Sequence, residues 1–145
     1  VPKKTGTPTT DILSAPRTWW ILFAVWLTTL TVLSSFPVPD LEQENLKISD
    51  KLVHFLYFMG GAGAFNLARG LAGTRLVGWV AFGVNLLVFA LIGAGDEFHQ
   101  SFVEGRTGND LGDFLADVLG GIGGYIAAVI TLALFGRFLN RPLSV

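Results

Sequence analysis

Apolar residues run through this chain in four continuous blocks, at about 19–36, 52–68, 76–95 and 118–136, with short polar segments between them. Each block is close to the ~20 residues a helix needs to cross a hydrocarbon core of about 30 Å. Backbone amides in lipid must be paired internally, which leaves helices or closed barrels, and a barrel strand alternates. These blocks do not alternate. The pattern predicts an all-α fold, an integral membrane bundle of four transmembrane helices. Pro37 and Pro39 end the first block, because proline removes an amide donor and clashes with the preceding turn. Lys3, Lys4 and Arg17 precede that block as they would in a signal peptide. The block exceeds a usual h-region, however, and Ser34-Ser35-Phe36-Pro37 is no small-residue cleavage site, so it reads as a retained span. The expected organisation is a cytoplasmic tail over 1–16, a membrane domain over 17–137 and a second short tail over 138–145.

Composition agrees. The chain is 51% hydrophobic and only 14% charged, against about a quarter charged in soluble domains. Much of its surface must therefore meet something other than water, and membrane lipids are the first expected partner. A net charge of −1 argues against nucleic acid as a partner held by phosphate neutralisation. The absence of cysteine excludes disulfides and thiolate metal sites.

Charge also gives an orientation. The N-terminal tail, the connection after the second block and the C-terminal tail carry Lys3, Lys4, Arg17, Arg69, Arg75, Arg137 and Arg141. The other side has Lys47, Lys51 and Arg106. Seven basic residues against three predict cytoplasmic termini. Acids hardly affect insertion, yet ten of the eleven fall on or near the outer face, Asp11 being the exception: Asp40, Glu42, Glu44, Asp50, Asp96, Glu97, Glu104, Asp110, Asp113 and Asp117.

Two polar clusters stand at membrane depth on that side. The first, Asp50-Lys51-Leu-Val-His54, opens the second block. Asp50 or Ser49 suits an N-cap, and His54 lies one turn on, sharing a face with Asp50. The second, Asp96-Glu97-Phe98-His99-Gln100, closes the third block and leads to Glu104, Arg106 and Asp110. On a continued helix Asp96, His99 and Gln100 share one face, while Glu97, Gln100, Ser101 and Glu104 share another. Asp113 suits the positive end of the fourth helix, but Asp117, a turn deeper, does not. An ionisable group near a bilayer centre costs about 2.5–3.5 kcal/mol on the lenient scale. Six such groups (His54, Asp96, Glu97, His99, Asp113 and Asp117) with Arg106 as their basic partner exceed what capping needs. They are expected to turn inward and form one outward-facing site. Gly120 and Gly124 form a GxxxG, and Gly60, Gly61, Gly63 and Ala64 give the second helix a small face, so these two helices are expected to touch.

The two clusters, Asp50-Lys51-x-x-His54-Phe55 and Asp96-Glu97-x-His99-Gln100-x-Phe102-Val103-x-Gly105-Arg106 followed by Asp113, resemble the VanZ-like family of bacterial membrane proteins. The resemblance extends to about Gly124. It departs at Phe58, where the family often has tyrosine, and at Asp117, where it often has asparagine. It implies an envelope protein of the bacterial cytoplasmic membrane, with a role of the kind associated with teicoplanin resistance, and brings no agreed reaction.

Three functional classes follow. An enzyme acting on a lipid-linked or glycopeptide-related envelope molecule would use His54 and His99 as general acid and base. Asp96, Glu97 or Asp113 would orient an imidazole, and Arg106 would hold a phosphate or carboxylate, with Asp50, Lys51, Gln100 and Asp117 lining the substrate. A binding or transport protein would use the same groups without turnover, for which a homodimer would supply a fuller architecture. An accessory subunit would use them only to lock the bundle. No cofactor is predicted. A metal-assisted version has two histidines and several carboxylates available, but no HxxxH or HExxH spacing.

Overall fold

The computed structural model describes residues 12–37, 46–106 and 108–138. Among these residues there are four helices and no strand: α1 Pro16–Ser34, α2 Leu46–Leu71, α3 Trp79–Gln100 and α4 Leu111–Phe138. Most of the tail residues and the acidic run Asp40, Glu42 and Glu44 lie outside the described residues.

The helices and the apolar blocks differ at their ends: α2 and α4 extend beyond their blocks on both sides, α1 starts before its block and stops two residues short of Phe36, and α3 starts three residues into its block and runs on to Gln100. Pro16 opens α1 at a position whose amide has no helical partner in any case. α2 starts at Leu46, which puts Ser49 and Asp50 inside the helix rather than at its cap. α3 continues through Gln100 and stops there, so Asp96, His99 and Gln100 do share its last turns while Glu104 is not on the helix. α4 begins at Leu111, capped by the Asp110 carboxylate, which accepts the amides of Gly112 at 2.6 Å and Asp113 at 3.3 Å.

Three helical segments, Pro16–Ser34, Trp79–Gln100 and Leu111–Phe135, are long and apolar enough to cross a membrane. At most 28% of each apolar window is buried within the molecule. Leu22 and Val25 on α1, Leu87 and Leu91 on α3 and Ile126 and Ile130 on α4 are exposed. Meanwhile Asn66, Asn85 and Asp117 are fully buried. That inverts the soluble arrangement and suits a lipid surround. The fourth expected span, α2, falls short on hydropathy because it is the inner helix. Residues from Gly61 to Ala68 are almost all buried, so it needs little apolar surface of its own.

α2 and α4 run parallel and pack closely. A Cβ on Gly120 would lie 2.3 Å from the carbonyl oxygen of Phe55, and one on Gly124 would lie 2.3 Å from that of Met59. The glycines thus allow backbone against backbone, as their spacing predicts. Gly61 serves α1 instead: a Cβ there would meet the Trp26 ring at 2.3 Å. Trp26 Nε1 donates to the carbonyl of Tyr57 at 2.9 Å, and Tyr57 Oη donates back to that of Trp26 at 2.9 Å. Phe23, Phe58, Phe65 and Phe89 fill the space behind this contact. Deeper in, Asn66 Nδ2 donates to Asn85 Oδ1 at 2.7 Å and Asn85 Nδ2 to the Gly121 carbonyl at 3.1 Å, tying α2, α3 and α4 together. Alternation of helix direction brings the ends of α1 and α3 and the starts of α2 and α4 to one end of the bundle. Both polar clusters therefore meet there.

Candidate functional site

The parallel register of α2 and α4 builds the site as two rungs. On the outer rung Lys51 Nζ donates to Asp113 Oδ1 at 2.8 Å and lies 3.5 Å from Asp110 Oδ1. Lys51 is half exposed and Asp113 is buried. One turn deeper, His54 Nδ1 lies 2.9 Å from Asp117 Oδ1. The Asp117 side chain is 0% exposed and that of His54 13%. Lys51 to His54 is three residues and Asp113 to Asp117 four, so each pair stays on the facing sides of its helix. Asp50 is exposed, and its carboxylate, one His54 nitrogen and a carboxylate oxygen of Asp113 lie within 4.8 Å of one another.

α3 closes the inner rung. Gly93 has no side chain where Asp117 approaches, and a Cβ there would stand 3.2 Å from Asp117 Oδ2. Glu97, one turn on, reaches the same place. Its Oε2 accepts the backbone amide of Asp110 at 2.7 Å. Its Oε1 and Asp117 Oδ2 are buried side-chain oxygens without a hydrogen-bond partner. His54, Glu97 and Asp117 each offer a ligand atom within 4.8 Å of the others.

The remaining residues of the second cluster face α1. Asp96 accepts from Ser34 Oγ, and its other oxygen accepts from Gln100 Nε2 at 2.7 Å. His99 is exposed, with Nε2 3.1 Å from Ser35 Oγ. Arg106 Nε donates to the Phe36 carbonyl at 2.9 Å and Nη2 to that of Leu33 at 2.7 Å. The fork read in the sequence as a phosphate holder is thus turned onto backbone carbonyls at the end of α1, of which that of Leu33 also accepts the Phe36 amide. The two histidines do not form a pair. His54 belongs to an α2–α3–α4 group with Asp50, Lys51, Glu97, Asp113 and Asp117, while Asp96, His99, Gln100 and Arg106 belong to an α1–α3 group.

Ser34, Ser35 and Asp110 are site residues that sequence reasoning did not single out for these roles. Asp110 was legible, since Asp110-Leu-Gly112-Asp113 ahead of an apolar run is a helix-start signature. Its carboxyl is held below the usual range, chiefly by the Gly112 amide and also by the Asp113 amide and Lys51. The two serines had only their position at the end of α1 to mark them.

No family model, curated protein or solved structure matches the chain.

Proposed function

We propose that this chain is a VanZ-like, four-span protein of a bacterial cytoplasmic membrane with both termini in the cytoplasm. On this reading its outer end acts on the polar headgroup of a lipid-linked or glycopeptide-related envelope molecule, as in teicoplanin resistance. Support for α2 as the fourth span comes from its contact with α4 from Lys51–Asp113 to Gly70–Leu132, which keeps the two helices at the same depth. Its 26 residues rise about 39 Å, enough to cross.

The observation that carries the chemistry is the His54–Asp117 pair beneath the Lys51–Asp113 pair. A carboxylate on one imidazole nitrogen fixes the orientation of the ring, which suits His54 to exchange a proton with substrate as a general acid or base. Lys51 presents an ammonium at the mouth. A phosphate or carboxylate headgroup arriving there exchanges with Asp113 for it and is brought over His54. Arg106, on this reading, holds the connecting loop to α1, and Asp96 with Gln100 holds α1 to α3.

The test is protection against teicoplanin in a sensitive bacterial host. His54→Ala, Asp117→Asn and Lys51→Met should each abolish protection at wild-type membrane levels. Full protection by the His54 and Asp117 variants would overturn the proposal. Loss that only follows loss of folded protein would favour the accessory-subunit reading.

A further inference from the structure

We propose that His54, Glu97 and Asp117 bind one divalent transition-metal ion of the Zn2+ or Mn2+ class. The inference rests on the same cluster as the proposed function, but its test reads metal rather than substrate.

Two independent observations point to a cation. The first is geometric: an imidazole nitrogen and a carboxylate oxygen from each of two acids converge within 4.8 Å from three different helices. Ligand atoms in a tetrahedral shell of Zn–N and Zn–O bonds near 2.1 Å stand about 3.4 Å apart, so a small inward shift completes the set. The second is the pair of orphan oxygens. Glu97 is 5% exposed and Asp117 0%, yet Glu97 Oε1 and Asp117 Oδ2 have no hydrogen-bond donor. A buried carboxylate oxygen left unpaired loses its hydration without a bond in return, and the loss is larger for a charged group than for a neutral one. Among the described residues, Lys51 donates to Asp113, Gln100 to Asp96 and Arg106 to α1 carbonyls, not to these two oxygens. Two carboxylates against one imidazole leave negative charge in excess, and a divalent ion removes it.

The donor set limits the ion. Carboxylates alone suit Mg2+ or Ca2+, whereas an imidazole among them favours Zn2+ or Mn2+. Three protein ligands leave coordination positions open, the mark of a site that meets substrate rather than a closed structural one. The Glu97 Oε2 bond to the Asp110 amide fixes that ligand from outside, as ligating carboxylates are commonly held. Gly93 keeps the α3 side of Asp117 Oδ2 clear; a Cβ would stand 3.2 Å from it. Sequence spacing gave no sign of this, since the three ligands come from three helices.

The experiment uses the full chain, purified in detergent and stripped with chelator. It is reloaded with Zn2+ or Mn2+ separately, desalted and analysed for metal by mass spectrometry. Thermal unfolding is measured alongside. Wild type should retain about one ion of at least one of the two metals per chain and unfold at a higher temperature when loaded. Glu97→Gln and Asp117→Asn, close in shape but without the charge, should each lose most of the metal and the thermal shift. Glu104→Gln, at an exposed position outside the cluster, should keep both. Absence of retained metal in wild type would overturn the inference and leave protons as what satisfies the two acids. Equal retention by wild type and both variants would also overturn it, since the ion would then sit elsewhere. Should one variant fail to fold, the other variant and the wild-type stoichiometry still decide. A wild type that binds metal while His54→Ala still protects against teicoplanin would separate the two ideas: the site stands and the proposed function falls.

Discussion

At the scale of single residues, Asp117 and Arg106 show what a sequence conveys about charged groups near a membrane. Asp117 lies too deep for a cap, and that depth alone says it must have a partner. Which partner was not legible, because it depends on the register of α2 against α4. Arg106 is the converse. Its type and surroundings suit an anion, yet Nε and Nη2 are spent on the carbonyls of Phe36 and Leu33, backbone groups that carry no residue signature. Arg106→Lys should therefore lower stability by about 1 kcal/mol, because an ammonium cannot span both acceptors. Denaturant unfolding in detergent measures this. Unchanged stability with lost protection would return Arg106 to the substrate. Asp110 makes a pH prediction. Its carboxyl is depressed in the folded state, so its stabilisation is present above the unfolded value near 3.9 and is lost as pH falls through the folded one. Asp110→Asn, which still caps, should flatten stability across that acid range, and an unchanged acid limb would remove the cap from the account of acid sensitivity.

At the scale of helices, small residues proved more informative than hydropathy. The apolar blocks marked all four helices but not their ends: α3 runs on through Asp96–Gln100 and α4 starts at Leu111, ahead of its block, because polar residues at the end of a bundle can continue a helix. The GxxxG of α4 located the principal contact, with Gly120 and Gly124 against the backbone of Phe55 and Met59. The small face of α2 was only partly readable: Gly61 takes the Trp26 ring, while a Cβ on Gly60 meets nothing within 4 Å. Gly120→Ala and Gly124→Ala should each destabilise by about 1–3 kcal/mol or more, since the obstructing atoms are backbone and cannot rotate away. Gly60→Ala should be neutral or stabilise by up to about 1 kcal/mol through helix propensity. The reverse order of effects in an unfolding series would mean that α2 and α4 do not meet along this face.

At the scale of the molecule, the four-helix pattern and the gathering of both clusters at one end follow from the order of apolar blocks, since antiparallel connection leaves no other arrangement. What the order could not give was the division of that end into an α2–α3–α4 group around His54 and an α1–α3 group around Asp96, which arises because α2 and α4 are neighbours though not consecutive. A substrate from the envelope requires this end to face outward. Single-cysteine labelling tests that directly in a chain with no cysteine of its own. Gly108 is unsuitable, as a Cβ there would lie 2.2 Å from the Ser101 amide nitrogen, whereas Glu104 and Thr74 are exposed at opposite ends of α3. A membrane-impermeant maleimide applied to intact cells should label Glu104→Cys, and should label Thr74→Cys only after permeabilisation. Labelling of Thr74→Cys from outside with Glu104→Cys protected, or of both from one side, would contradict an outward-facing site.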